Sequence, residues 1–531
     1  MTDPLRDQHL ARRLNRAEAY LAQRNPDAAR IAYESILADA PRHPLARLRL
    51  ASIAGSQGRY REATMHALSL AQTPPADPYL LALLVSLLHR QGESQAALRC
   101  LARPEFDAFP EIQGLEEMAG LAILLEDMDL ALRFLDRAAR LAPVTATAYY
   151  QRGTVHAFRG DIDEATLAYE RCLATAPKFA QAHWSLSRLR QQRPGHDHVQ
   201  RLQTALTQAT QDEERIHLEF ALFKELDDLG DHGRAWRALE RGAELKRATL
   251  EHRAQDDAAA FARLHKLADA GFFSSDARPP PASADMGPQP IFIVGLPRTG
   301  TTLLERLLAG HSGVAAAGEL VDFATQMRWC ANRPARSYLD PALIAAMENV
   351  DFAELGDRYL QHARWRAGGR RWFTDKMPLN FVNIGFIHRA LPQARIVHMV
   401  REPMDACFSN LKELFTRMYP YSYRLDDIAD YYEHYRLLMA HWQRAMPGRI
   451  LDVHYEQLVA EPEAVMRSVL AFCDLPWESA CAGTEGSTGV VTTASSVQVR
   501  EPVHQRAVSQ WRNYAQPLAP LEARLRAGGW L

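Results

Sequence analysis

The sequence predicts two fold classes in one chain: an all-α solenoid of helical repeats, then an α/β domain with a parallel sheet and a P-loop-like turn. Three observations predict this. Small residues, glycines and prolines recur with a period of 34 over the first third of the chain. The all-apolar run Ile291-Phe292-Ile293-Val294 leads straight into a glycine-containing loop and then into leucines at helical spacing. At 531 residues, the chain is also too long for a single hydrophobic core.

The period is carried by Ala29, Ala63, Ala97, Ala131 and Ala165, by Gly58, Gly92 and Gly160 with Glu126 in the fourth place, and by Pro41, Pro75, Pro143 and Pro177, with Phe109 breaking the run. Each glycine suits a tight turn between two amphipathic helices. Each alanine lets the pair approach closely, and each proline ends the second helix. The pattern resembles a tetratricopeptide-repeat array of about five repeats, placed at residues 1–195. Residues 196–273 read as a helical extension in which Gly230-Asp231-His232 and Ala235 form a degenerate capping repeat. Residues 274–289, with Pro279-Pro280-Pro281 and Pro288-Gln289-Pro290 at its end, have the composition of a semi-rigid linker, so the second domain is placed at 290–531.

Composition narrows the function. A balance of 47% hydrophobic and 24% charged residues is that of folded domains, and a formal net charge of -2 gives no global basic field, so neither a nucleic-acid nor a membrane partner is expected. Any polyanion site must be local. The six cysteines (Cys100, Cys172, Cys330, Cys407, Cys473, Cys481) are scattered without metal-ligand spacing, and no His and carboxylate cluster has it either, so no metal is expected. Charges run through Met1 to Gln23, and no window approaches a membrane span of about 20 apolar residues. Reduced thiols and a cytoplasmic location are the expectation.

In the second domain, Ile291–Val294, Arg395–Val400 and Ile450–Val453 read as strands with helical patterns between them, the alternation of a doubly wound sheet. Gly295-Leu296-Pro297-Arg298-Thr299-Gly300-Thr301-Thr302 follows the first strand, and Leu303, Leu304, Leu307 and Leu308 start the next helix. A loop of this kind turns successive N–H groups and a helix N-terminus toward an anion. The lysine of a nucleotide-triphosphate P-loop is replaced by Thr301, and the cation, Arg298, comes earlier, which argues against ATP.

Pro297-Arg298-Thr299-Gly300-Thr301-Thr302 resembles the donor loop of the sulfotransferase family, in particular its protein-tyrosine sulfotransferase branch. Tetratricopeptide arrays fused to this domain recur in bacteria. The resemblance covers about the last 240 residues and implies 3′-phosphoadenosine 5′-phosphosulfate as co-substrate, held by Arg298, Thr299, Gly300, Thr301 and Thr302. It further implies that Arg401 and Ser409, eight residues apart, hold the 3′-phosphate. Tyr455 matches a nucleotide-contacting tyrosine, and Ser495, Gln498, Val499 and Arg500 match a late loop that folds over the donor. Departures are present: a family cation falls on Glu413, a later lysine falls on Gln510, and Ala317 and Asp375 stand near the family's disulfide cysteines. Lys412 or Arg500 is the expected substitute for the lost cations.

Sulfuryl transfer needs a base for the acceptor hydroxyl and cations for charge that builds on the leaving oxygen. By the same resemblance Glu319, twenty-one residues after Arg298, is the base, and Lys376 and Ser495 stabilise the transition state. Other readings remain beside these. Glu319 could cap a helix, Lys376 could be a surface charge paired with Asp375, and His311 and His398 read as structural histidines. The leading expectation is an enzyme that sulfates a hydroxyl acceptor (peptide, glycan or small molecule), with the array recruiting the acceptor or a polypeptide partner. A repeat scaffold with a non-catalytic nucleotide domain is the alternative, and a P-loop kinase is a third.

Overall fold

The computed structural model describes residues 4–267, 272–273, 287–335, 337–415, 418–483 and 503–531. Residues 274–286 of the expected linker, and Ser495, Gln498, Val499 and Arg500, lie outside the described residues. The described chain forms two compact units, Met1–Val144 with Ala324–Arg336, and Thr145–Phe323 with Ser337–Leu531.

In the first unit, helices Pro4–Ala22, Pro44–Ser56, Pro78–Arg90 and Ile112–Leu124 alternate with Pro26–Asp39, Tyr60–Gln72, Ser94–Leu101 and Met128–Leu141. The fifth repeat, Ala146–Arg159 and Ile162–Thr175, opens the second unit. All five in-phase alanines are buried, because the second helix of each repeat presses its small residue against the first. The turn between the helices is left-handed each time, at Arg24, Gly58, Gly92, Glu126 and Gly160. Only three of these five are glycine, so a side-chain-bearing residue is forced into that conformation twice. Where Phe109 replaces the proline, the preceding helix stops early at Leu101, and the Phe109 ring lies 4.9 Å from that of Tyr79.

Ala324–Arg336 belongs to the first unit through Arg61. Its guanidinium donates to the carbonyls of Trp329 (2.6 Å) and Cys330 (2.5 Å), while its N–H bonds Asn332 Oδ1. Two of the last carbonyls of helix Asp322–Ala331 are thereby satisfied.

The second unit continues with helices Ala180–Arg188, Val199–Gln208, Asp212–Asp228, His232–Ala248 and Ala254–Leu267. The turn at Gly230 is again left-handed and Ala235 is buried, which repeats the geometry of the array. A five-stranded parallel sheet follows, with β1 Gln289–Gly295, β2 Val314–Ala315, β3 Trp372–Asp375, β4 Arg395–Val400 and β5 Ile450–His454 in the order β2-β3-β1-β4-β5. Ile293 pairs with Val397 and Pro290 with Phe373 in the central registers. β1 is buried along its whole length, as its unbroken apolar run requires.

Candidate active site

In this strand order the chain leaves β1 toward β3 on one side and returns to β4 on the other, so the crevice lies beyond the carboxyl ends of the central strands. The strand ends deliver the side chains. The loop Leu296–Gly300 follows β1, Lys376 follows β3, Arg401 follows β4, Tyr455 follows β5, and Glu319 lies four residues beyond β2.

The β1 loop is held from outside by Asn410 and Arg401 and from within by Thr299. Asn410 Nδ2 donates to Pro297 O at 2.8 Å, Arg401 Nη1 donates to Arg298 O at 2.9 Å, and Thr299 Oγ1 bonds Leu296 O at 2.7 Å. Arg298 itself is left-handed, and helix Thr301–Ala309 starts directly after Gly300. Gly300 is required there, because a Cβ would fall 2.6 Å from Tyr455 Cδ2 on a left-handed backbone. The Tyr455 ring in turn lies under the Arg401 guanidinium, 4.7 Å from ring centroid to Cζ. Thr301 and Thr302 are buried at the helix N-terminus.

Arg401 and Ser409, eight residues apart in sequence, meet: Arg401 Nη1 donates to Ser409 Oγ at 2.9 Å. Arg401 Nη2 donates to Ala507 O, and Arg401 Nε is buried without a hydrogen-bond partner among the described residues. A buried, half-satisfied guanidinium above a loop of N–H groups fits an anionic ligand. Glu413, which stands where a cation was expected, forms ion pairs with Arg298 Nε and Arg188 Nη2, each at 3.4 Å. Lys412 bonds Gln510 Oε1, the other departure from the pattern. Burial, together with the neighbouring charges of Arg401 and Arg298, lowers the Lys412 pKa to about 8. Burial also lowers that of Arg298, and the positive charges of Arg188 and Arg401 act in the same direction.

On the other side of β1, Lys376 Nζ donates to Glu319 Oε1 at 2.7 Å, with Lys376 fully buried and the Glu319 side chain 37% exposed. Lys376 therefore does not pair with Asp375, contrary to the simplest reading of their adjacency. Successive strand residues face opposite sides, and Asp375 accepts instead from Tyr359 Oη (2.9 Å) and Asn380 Nδ2 (3.3 Å). Burial raises the Asp375 pKa well above the usual carboxylate range. Glu319 precedes helix Asp322–Ala331 and lies outside it. Its loop is fixed by Glu305, a residue the sequence did not single out: Glu305 Oε1 accepts from Gly318 N (3.0 Å) and Thr374 Oγ1 (2.6 Å), and Lys376 N bonds Gly318 O.

The two histidines are engaged elsewhere. His311 Nε2 bonds Pro476 O and its Nδ1 accepts from Gly313 N, while His398 lies between Asp452 and the Tyr435 hydroxyl. Sequence reasoning also missed Asn410, Arg188 and Asp405. Asp405 accepts from the N–H groups of Ser509 (2.6 Å) and Trp511 (3.3 Å), which fastens the C-terminal segment beside Arg401.

Fold and site together define an α/β domain with a cation-lined anion loop at its strand ends, carried behind helical repeats. Residues 290–479 match the Sulfotransferase family and residues 146–179 match the Tetratricopeptide repeat. An uncharacterized protein of Aquifex aeolicus (strain VF5) is 28% identical over 342 residues, 62% of this chain and 44% of that protein. Protein-tyrosine sulfotransferase 1 of Danio rerio is 27% identical over 245 residues (42% of this chain, 65% of that protein), and the Homo sapiens protein of the same name is 26% identical over 268 residues (44% and 68%). The chain thus spans less than two thirds of the first two relatives.

Proposed function

We propose that this protein transfers the sulfuryl group of 3′-phosphoadenosine 5′-phosphosulfate to a hydroxyl acceptor, with a peptide tyrosine as the first candidate. The contact between Arg401 and Ser409 carries the reading, since it builds a site for a second phosphate beside the β1 loop, where an adenosine 3′,5′-bisphosphate moiety needs one. In this reading the Arg298–Thr302 loop and its helix N-terminus hold the 5′-phosphosulfate. Glu319, at the exposed edge of the site, takes the acceptor proton, and Lys376 leaves its carboxylate to neutralise charge at the transferring group. Ser495 assists there, and Tyr455 and the segment Gln498–Arg500 cover the nucleotide. The reading includes reducing, cytoplasmic surroundings, in keeping with six cysteines scattered through the sequence, and repeats that recruit the acceptor or a partner polypeptide.

The test is full-length protein with donor labelled in its sulfur, offered tyrosine peptides, a glycan and simple phenols. Label transfer to a hydroxyl supports the proposal. Absence of both transfer and binding of adenosine 3′,5′-bisphosphate overturns it, and phosphorylation from ATP would favour a kinase.

A further inference from the structure

Arg188 is the last residue of helix Ala180–Arg188, about 110 positions before the β1 loop, yet its guanidinium lies against the same carboxylate as Arg298. Glu413 is buried, with one oxygen on each arginine, and the Arg188 guanidinium carbon lies 4.9 Å from the Trp184 ring centroid. A carboxylate this close to an anion-binding arginine opposes anion binding unless its charge is shared. We infer that Arg188, contributed by the helical region and not by the α/β domain, is a positioning residue of the donor site that holds Glu413 and so keeps Arg298 available to the donor's anionic group. This rests on the proposed donor.

The geometry fixes the sign of each effect. Without the Arg188 charge, Glu413 keeps its ion pair with Arg298 unshared with a second arginine and competes directly with the ligand for that guanidinium. Without the Glu413 charge, that competition is absent and the Arg188 charge has no carboxylate to hold. The donor site of the α/β domain is therefore completed by a residue that lies before it in the chain, among the helices that follow the repeats.

Calorimetry of the full chain with adenosine 3′,5′-bisphosphate tests this. Arg188→Met keeps an unbranched side chain and removes the charge, and it is expected to weaken binding about tenfold. In a Glu413→Gln background the same change should cost less than about twofold, and Glu413→Gln alone should bind at least as tightly as the wild type. Equal losses in the two backgrounds, or no loss in either, overturn the inference. If Arg188→Met does not fold, weaker binding by Glu413→Gln alone overturns it. A wild-type protein that binds the bisphosphate no better than 5′-AMP fails the donor assignment itself, and that result is read before any variant is made.

Discussion

Lys376 Nζ and Glu319 Oε1 lie 2.7 Å apart, a fully buried ammonium against a carboxylate that faces the opening of the site. The pair joins the end of β3 to the loop after β2. A carboxylate and an ammonium at this distance restrain each other until a ligand separates them, so the pair spares the buried Lys376 charge an unpaired burial.

The first prediction follows from that pair. Glu319→Gln keeps an oxygen for the Lys376 ammonium to bond but cannot take a proton, so kcat should fall about 10²- to 10⁴-fold while affinity for adenosine 3′,5′-bisphosphate holds. The neutral partner costs the buried lysine about 1–3 kcal/mol of stability. Near-normal kcat in a destabilised variant would assign Glu319 to structure alone.

Arg401→Ala removes the guanidinium that joins Ser409, the β1 loop and the ring of Tyr455. Loss of a charge-assisted contact of about 1.5–3 kcal/mol should weaken the 3′,5′-bisphosphate by roughly ten- to a hundredfold and leave 5′-AMP almost unchanged. Equal losses for the two nucleotides, measured by calorimetry, would remove the 3′-phosphate from this position.

Lys412 gives the site a pH dependence. Burial holds its pKa at about 8, so the ammonium is present at neutral pH and is lost as pH rises through that value. Affinity for the bisphosphate should fall between about pH 7 and 9, with proton uptake on binding at the upper end, and Lys412→Met should flatten the profile. Because the folded-state pKa lies below the ordinary lysine value of 10.5, the same group weakens the fold below about pH 8, and that penalty fades as pH rises from 8 toward 10.5.

His252 has the reverse sign. Burial alone would lower its pKa, but a hydrogen bond to Asp257 (2.8 Å) and the nearby carboxylates of Asp257 and Asp427 (3.5 Å) raise it to about 9. Its contribution is complete below the ordinary value of 6.5 and disappears as pH rises through about 9. His252→Gln should lower stability by about 1–2 kcal/mol near pH 6 and have little effect at pH 9.5, so melting curves of the two proteins should converge over that interval.

Much of the fold could be read because its signals are local. The alanine and glycine period marks the repeats, and the apolar runs mark β1, β4 and β5. β2 is two residues long and leaves no pattern. β3 escapes for a different reason: Thr374 and Asp375 break its apolar run, and only the folded state supplies Glu305 and Tyr359 to satisfy them. The left-handed turn at Arg24 is hidden by a residue that rarely adopts it. In the site, the family resemblance pairs Arg401 with Ser409 across one strand–helix junction, whereas Arg188, Asn410 and Glu305 reach their partners through contacts that no motif encodes.

Each of the five strands ends in, or shortly before, one member of the site, and the members meet only across strand pairs separated by long crossovers. No hairpin or single helix can bring them together, so folding intermediates that lack even one strand carry no complete site. A nucleotide that binds there recognises only the finished sheet. Saturation at about 100 times Kd would stabilise that state by roughly 2.7 kcal/mol, making occupancy of the site a direct readout of how completely the sheet has assembled.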